Sequence, residues 1–352
     1  MDLSSASEED NPSFDVRVEE LLQNRTPAPT IKVNNWAENK FDTWLETTSF
    51  PYLSFEDVDY DRLNYIMERF LCDVGEKLKY RSMHSVITAL NRKLKERSLD
   101  QDLFVTKRYE RFRRVYDGWL KEKQASDISP PTNKAGYITE AEEERLWDSG
   151  VFGISTPIQL LTTVMFLLCK IFTLRGGDEL KQLKSGDITI TKLKDRCEVW
   201  YRERRSKNKQ PGLKSINKER KQVQHFDPIN ESYSRSFSFV YQVFLSKSHP
   251  KVSDPESKLQ LLQHCLTLKK FKDLQEAKVW FCNRRVVGKN YPKELFEKAM
   301  EEAKIDHKGR NLSLRSIRPS SIHRMAKNNV HPEKMRKRTG HSSISALNQY
   351  TR

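Results

Sequence analysis

The chain has 352 residues, enough for two domains that each bury a core. Lys and Arg number 63 against 48 Asp and Glu, a formal net charge of +15, and aromatic residues make up 10% of the chain. This composition argues against a disordered chain and favours a folded protein that binds a polyanion such as nucleic acid. The five cysteines are scattered and never spaced as Cys-x-x-Cys, which predicts a reducing compartment, no disulfide framework and no zinc site.

The first part of the chain divides into an acidic and a helical segment. Residues 1–30 are acidic, carry prolines and show no sustained apolar period, which predicts a mobile tail and no secretory signal. From residue 31 to 125, apolar residues recur at helical spacing and predict an all-α domain of four or five helices. Residues 92–98 and 107–121 mix cations with aromatics. Such a surface can follow a phosphate backbone, but a solvated basic face over an aromatic core fits equally well.

Residues 126–136 are rich in Pro, Ser, Asn and Gly and read as an interdomain linker. After them, Thr139 precedes Glu142 by three positions and predicts a capping box that begins a helix. Thr156 and Pro157 then begin the longest apolar run, residues 158–174. This run is short for a membrane span and contains polar residues, so we expect a helix buried in a globular core.

The next elements predict a small sheet among helices. Residues 186–203 alternate apolar and polar side chains on both sides of a polar turn, which indicates a hairpin, and residues 221–226 indicate a third strand. Helical patterns return at residues 237–245 and 292–303. The expected fold class is therefore α+β, mainly α, with an all-α amino-terminal domain and a mostly helical second domain that carries one small antiparallel sheet.

Several polar residues stand at positions where their conformation is constrained. Arg175 follows the apolar run and precedes two glycines, and Arg318 precedes Pro319 at an expected helix N-terminus, where an anion is favoured. His341 follows Gly340 at an expected helix C-terminus. Residues 202–221 contain nine basic and two acidic residues. They suit a solvated loop, a nuclear-import signal or a flexible arm that places a lysine in a DNA groove.

The order and spacing of these residues resemble the active-site signature of tyrosine recombinases, the phage-integrase family. Arg175 comes first and is followed by a lysine of the predicted hairpin. Arg318 then stands 23 residues before His341, and Tyr350 stands nine residues after His341. The segments VFGISTPIQLL, FTLRGGDEL, RSKNKQPGL and TGHSS resemble more narrowly the eukaryotic Crypton-type branch and its domesticated relatives. The likeness covers residues 31–352 and is strongest from residue 139 onward.

The resemblance implies an architecture and a reaction. Residues 31–125 would form a SAM-like helical core-binding domain and residues 137–352 the catalytic domain, and the chain would act on duplex DNA as a homo-oligomer, in the nucleus. Tyr350 would attack a phosphodiester to give a 3'-phosphotyrosine and a free 5'-hydroxyl. This chemistry conserves bond energy and implies no metal, ATP or other cofactor.

The resemblance also implies roles for the other signature residues. Arg175 and Arg318 would hold the non-bridging oxygens and stabilise the charge of the transition state. Lys207 would protonate the leaving 5'-oxygen, and Lys209 is its rival for that role. His341 would hydrogen-bond the scissile phosphate and help to place the tyrosine.

Two departures from the family pattern bear on activity. A histidine or lysine commonly stands three residues before the second arginine, and here that residue is Arg315. Arginine binds phosphate but accepts no proton near neutral pH, so Arg315 joins Arg204 and Arg205 as an auxiliary DNA-binding candidate. The acidic residue that follows the first arginine is either Asp178 or Glu179. The sequence thus favours a DNA strand-exchange enzyme and leaves a catalytically silent DNA-binding regulator as the alternative.

Overall fold

The chain divides into two compact units, Met1–Pro130 and Pro131–Arg352, and this division falls within the expected linker at residues 126–136. The structure is a computed structural model that describes residues 12–48, 60–97, 101–126, 136–204, 220–266, 278–288 and 290–351. Within these ranges no helix combines the length and the apolar character that a membrane span requires.

The first unit is helical. Its described helices are α1 (Pro12–Asn24), α2 (Ala28–Glu46), α3 (Tyr60–Gly75), α4 (Tyr80–Arg97) and α5 (Glu110–Ser126). Helix α1 and the start of α2 lie within residues 1–30, for which the sequence predicts a mobile tail without regular structure. Val16, Leu21 and Leu22 of α1 are all more than half exposed, at 61, 56 and 54%. These side chains pack on no core of the described chain. The sequence nevertheless contains a helical period that the sequence analysis missed, because Phe14, Val18, Leu21 and Leu22 stand at i, i+4, i+7 and i+8.

The mixed cationic and aromatic segment of the first unit separates into a core and a surface. Tyr109, Phe112, Tyr116 and Trp119 are buried in the core that α2 to α5 enclose. Arg111, between them in sequence, has a side chain that is 79% exposed and an ion pair with Glu68 at 3.1 Å. The pattern is therefore a basic face over an aromatic core, and only its cations can meet a phosphate backbone.

The second unit is mainly helical with small antiparallel sheets, which confirms the expected fold class. Its helices are α6 (Glu140–Asp148), α7 (Pro157–Ile171), α8 (Asp178–Gln182), α9 (Phe237–Lys247), α10 (Pro250–Ser253), α11 (Tyr291–Glu302), α12 (Ile317–Lys327), α13 (Pro332–Thr339) and α14 (Asn348–Thr351). Its strands are β1 (Ile188–Lys192), β2 (Arg196–Arg202), β3 (Gln222–Pro228), β4 (Gln263–Cys265) and β5 (Phe281–Val286).

The second unit contains the predicted sheet and a second sheet that was not predicted. Strands β1, β2 and β3 form the expected antiparallel sheet in the order β1-β2-β3, with Tyr201 of β2 opposite Val223 of β3. Strands β4 and β5 form a second, two-stranded sheet, whereas the sequence predicts only one. Strand β4 has three residues and an irregular register, so it is too short for a period-2 signal.

Helix α7 forms the centre of the second unit and positions the site described below. Thr156 caps it in a capping box with Gln159, and Pro157 is its first residue, as the sequence predicts. Its side chains from Leu160 to Cys169 are buried, which confirms the prediction of a core helix, whereas Ile158 in the first turn is 48% exposed. The helix ends at Ile171, three residues before the predicted end at residue 174, because Thr173 adopts a left-handed conformation with φ +49°.

Candidate active site

Arg175 lies in an unusual turn between α7 and α8. Thr173 and Gly177 have φ angles of +49° and +88°, and a β-branched residue in this region costs about 1–3 kcal/mol unless its surroundings hold it. The Glu179 carboxylate accepts hydrogen bonds from the Arg175 backbone N–H at 2.7 Å and from its guanidinium at 3.3 Å. Glu179 is therefore the acidic residue that fixes Arg175, and the side chain of Asp178 lies outside the described residues.

Arg318, the second residue of α12, is 7% exposed and joins two loops. Its Nη1 donates to the Thr173 carbonyl at 2.7 Å and its Nη2 to the Thr339 carbonyl at 2.5 Å. A guanidinium has five N–H donors, so about three remain for an anion. Burial lowers the pKa of Arg318, and the nearby charge of Arg175 lowers it further. Two guanidinium groups held this close form a site for an anion such as a phosphate.

His341 is oriented by the end of α13. Gly340 caps this helix in the left-handed conformation, with φ +70°, and the His341 Nδ1 lies 2.6 Å from the Thr339 hydroxyl oxygen. That hydroxyl also donates to the Met335 carbonyl at 2.7 Å. Because a hydroxyl has one proton to donate, this arrangement assigns a proton to Nδ1 and leaves Nε2 as an acceptor.

The charge state of His341 follows from its surroundings. Burial, and then the positive charges of Arg318, Arg175 and Lys221, lower the pKa of His341 to about 4. The imidazole is therefore neutral at physiological pH in the protein without DNA. A neutral ring with a free Nε2 can accept a proton, which the two guanidinium groups cannot do.

Tyr350 lies on α14 beside this cluster. Its ring centroid is 5.8 Å from that of His341, and its charged form raises the pKa of Arg318, so the phenol lies near that guanidinium. The ring is half-buried against a small apolar cluster formed by Ile322, Met335 and Leu347. The described structure thus brings together four residues singled out in the sequence: Arg175, Arg318, His341 and Tyr350.

Other predicted residues are not part of this cluster or cannot be placed. Arg315 is exposed on the 3-10 turn Leu314–Ser316. Arg204 follows β2 and forms an ion pair with the buried Asp187, with its own side chain 47% exposed. The remaining predicted residues lie outside the described residues: Arg205, Lys207 and Lys209.

The structure adds three residues that the sequence analysis missed: Lys221, Thr173 and Thr339. The Lys221 ammonium donates to the Phe172 carbonyl and to the Thr173 hydroxyl, so it lies behind the Arg175 turn. A signal for its burial was present, because Lys221 is two residues before Val223 and shares its side of β3. Among the residues described, no group of three or more His, Cys, Asp or Glu side chains could hold a metal ion.

The left-handed cap at Gly340 gives a testable consequence. We expect Gly340→Ala to lower the free energy of unfolding by about 1–2 kcal/mol, because an L-residue is strained at this φ. The new Cβ would also lie 3.4 Å from Cδ of Lys221. Denaturant titration measures the effect. The matched control is Gly288→Ala, where a Cβ meets nothing within 4 Å. Equal losses in the two variants would contradict the assigned strain.

The neutral His341 gives a second consequence, for stability against pH. The imidazole has a pKa near 6.5 in the unfolded chain and about 4 in the folded protein. Its contribution to the free energy of unfolding is therefore fully present above pH 6.5 and is lost as the pH falls towards 4. We expect wild type to lose about 1 kcal/mol more than His341→Asn between these values, since solvent screens a half-buried ring. Denaturant titrations of both proteins at several pH values test this. Parallel pH curves for the two proteins would show that His341 titrates normally.

Comparisons of sequence find distant relatives. Residues 137–297 match a family described as Domain of unknown function (DUF3504). The human protein named Uncharacterized protein KIAA1958 is 23% identical over 189 residues, which is 51% of this chain and 26% of that protein. The human Transcriptional regulator QRICH1 is 30% identical over 111 residues, which is 31% of this chain and 14% of that protein. The chain thus spans only a minor part of the length of these relatives.

Comparisons of structure find recombinases. The Tn1549 transposon integrase, solved with circular intermediate DNA, has a TM-score of 0.51 and 13% identity over 95% of this chain and 93% of that chain. The XerH site-specific recombinase, solved on a palindromic difH substrate, has a TM-score of 0.51 and 14% identity over 91% of this chain and 75% of that chain. At such low identity the likeness is one of fold. The chain therefore has the fold of the tyrosine recombinases.

Proposed function

We propose that this chain binds duplex DNA and breaks and rejoins one strand through a covalent 3'-phosphotyrosine at Tyr350. The observation that carries the proposal is the convergence of Arg175, Arg318, His341 and Tyr350 at one place in the second unit. Two guanidinium groups bind a phosphodiester, and a phenol beside them can attack its phosphorus. The recombinase fold supports the same reaction.

The first chemical step needs a nucleophile and a proton acceptor. The Tyr350 oxygen forms a bond to phosphorus while the bond from phosphorus to the 5'-oxygen breaks. The phenol proton passes to Nε2 of His341, which is neutral and whose Nδ1 is committed to Thr339. This assignment supplies the acceptor that Arg315, as an arginine, cannot provide. Arg175 and Arg318 hold the non-bridging oxygens as their negative charge increases.

The leaving 5'-oxygen takes a proton from a lysine of the basic segment that follows β2, for which Lys207 and Lys209 are the candidates. Rejoining reverses the step: a 5'-hydroxyl attacks the phosphotyrosine and the phenolate recovers its proton. The exposed cations Arg204 and Arg315, and Arg205, which follows Arg204 in sequence, would contact the flanking DNA backbone.

In its finer form, the proposal is site-specific recombination or integration by a homo-oligomer on DNA, of the Crypton type and in the nucleus. The segment likenesses to that branch support it. A mobile-element origin belongs to this form of the proposal.

A second candidate function is a catalytically silent DNA-binding regulator. Arg315 at the position of a common histidine or lysine favours it, and one relative is named a transcriptional regulator. A regulator would keep the recombinase fold and a basic surface for DNA. It would form no covalent bond with its ligand.

Covalent trapping separates the two functions. A library of nicked duplexes, with randomised sequence around the nick, releases a short fragment upon cleavage and so prevents rejoining. We expect the full chain to form a denaturant-resistant protein–DNA adduct with part of this library, and sequencing of the captured DNA identifies the site. Tyr350→Phe should abolish the adduct and retain DNA binding, because it removes only the nucleophilic oxygen.

The control variant is Tyr65→Phe, which removes a partly exposed phenol from α3 in the first unit. It should form the adduct at the wild-type rate. Salt-sensitive DNA binding without any adduct in wild type would reject cleavage and favour the regulator. An adduct that persists in Tyr350→Phe would show that another residue is the nucleophile.

A further inference from the structure

Lys221 is an unusually buried cation for which the reaction described above has no role. It immediately precedes β3 and is 4% exposed. Lysine is seldom this buried unless it is paired, because removing an ammonium group from water is costly. Its backbone carbonyl accepts from the Glu203 N–H at 2.9 Å, and its own N–H donates to the Glu203 carboxylate at 3.3 Å. The start of β3 therefore fixes Lys221 before its side chain enters the core.

The side chain of Lys221 connects three parts of the candidate active site. Its ammonium donates to the Phe172 carbonyl and to the Thr173 hydroxyl, the latter at 3.2 Å. Its stem passes Gly340, where an added Cβ would lie 3.4 Å from Cδ of Lys221. The strand that follows Lys221, the turn that precedes Arg175 and the cap that precedes His341 thus meet at this one side chain.

The Thr173 turn is the element that Lys221 holds. Its left-handed conformation is unfavourable for a β-branched residue, and its carbonyl accepts from Arg318 at 2.7 Å. Arg175 lies two residues further along the chain. A shift of this turn would therefore move both guanidinium groups that face the phosphate.

Hydrogen bonding alone does not require a lysine here. The Phe172 carbonyl also lies 2.7 Å from the Thr173 hydroxyl, which itself lies 3.0 Å from the Arg338 carbonyl. Because a hydroxyl donates one proton, without Lys221 it could serve the Phe172 or the Arg338 carbonyl but not both. A neutral amide at position 221 could supply the missing donor, so the hydrogen bonds require a donor and no charge. The buried charge is then a cost to stability that a structural role does not explain.

The charged groups that act on Lys221 include both arginines of the pocket, as expected for a side chain that lies directly beneath it. The positive groups that act on it are Arg318 and Arg175, and the negative groups are Glu179 and Glu203. Burial, and then the charge of Arg318, lower the pKa of Lys221 to about 7. Lys221 in turn contributes to the low pKa of His341. Its ammonium also lies 5.8 Å from the centroid of the Tyr201 ring.

We propose that Lys221 is a positioning residue of the phosphate pocket: it holds the Thr173 turn that aligns both arginines, and its side chain packs behind the Gly340 cap that precedes His341. This inference rests on the proposed function, because the pocket is assigned to a DNA phosphate there. Lys221 touches no DNA. It acts through Thr173, Arg318 and His341.

The test replaces Lys221 with methionine, whose unbranched stem fills similar space without charge. In the full chain, we expect the NMR titration of His341 to shift upward from about 4 but to stay below its ordinary value, because one positive charge is lost while burial and both arginines remain. We expect the thermal midpoint at pH 6 to stay or rise, since a buried charge is removed. Adduct formation at saturating nicked DNA should fall about 100-fold through misplacement of the arginines.

Two further variants make the result decisive. Lys192→Met removes an exposed lysine at the end of β1 and should leave all three measurements at wild-type values. Lys221→Gln keeps a donor for the Thr173 hydroxyl but lacks the charge. It should therefore shift the His341 titration as methionine does, but it should reduce adduct formation less than methionine does. If neither variant at position 221 folds, Lys221 is required for the fold and the proposal is wrong.

The outcomes separate this inference from the proposed function. An unchanged His341 titration in Lys221→Met would overturn the inference even if wild type cleaves DNA. So would a lowered thermal midpoint with an unchanged adduct rate. If wild type forms no adduct, the proposed function fails, whereas the His341 titration and the thermal midpoint still decide whether Lys221 supports this anion pocket.

Discussion

Replacing Arg318 with lysine should lower the rate of adduct formation on the nicked duplex by about 100- to 1,000-fold, the effect of removing one preorganised donor from a charged transition state. The Arg318 guanidinium donates to the carbonyls of Thr173 and Thr339 and keeps further N–H groups for the phosphate. Lysine has three donors on one atom and cannot reproduce this planar arrangement. The rate is measured with saturating DNA, at a temperature where circular dichroism shows the variant to be folded.

The matched control for this prediction is Arg235→Lys. Arg235 forms surface ion pairs with Glu144 and Asp148, with its side chain 45% exposed, and such pairs contribute about 0–1 kcal/mol. Adduct formation by this variant should equal that of wild type. A rate for Arg318→Lys within a few-fold of wild type would mean that Arg318 only supports the loops and does not bind the transition state.

The sequence predicts the elements whose signals are local. Thr156 and Pro157 begin α7 as expected because a capping residue and a proline act within one helical turn. Gly340 ends α13 in the left-handed conformation that favours glycine. The order of the arginines, the histidine and the tyrosine also anticipates which residues the described structure brings together.

Other features could not be read from the sequence because distant residues determine them. Thr173 adopts a conformation that threonine avoids, and it is held there by contacts with Arg318 and Lys221, 145 and 48 residues away. Lys221 lies at the end of a basic run that resembles a solvated loop. Its burial depends on alternation with Val223 along β3 and on the end of α7, which come together only in the folded chain.

Arg175 and Arg318 can face one phosphate only if α7 and α12 keep a fixed position relative to each other. Glu143 of α6 is 6% exposed and binds both helices: its carboxylate pairs with Lys170 of α7 and with Arg324 of α12. A second contact joins the same helices, where the Ser321 hydroxyl lies 3.0 Å from the Lys170 carbonyl. The acidic residue is therefore the common partner of two cations that would otherwise repel each other at a buried site.

Replacing Glu143 with alanine should lower the free energy of unfolding by about 3–5 kcal/mol, because it leaves two partly buried cations without their shared anion. Denaturant titration measures the loss, and Glu144→Ala is the control. Glu144 is the next residue on α6 and pairs with Arg235, but its side chain is 65% exposed, so its loss should cost less than about 1 kcal/mol. If both variants lose equal stability, Glu143 does not connect α7 and α12. The relative position of Arg175 and Arg318 must then depend on apolar packing alone.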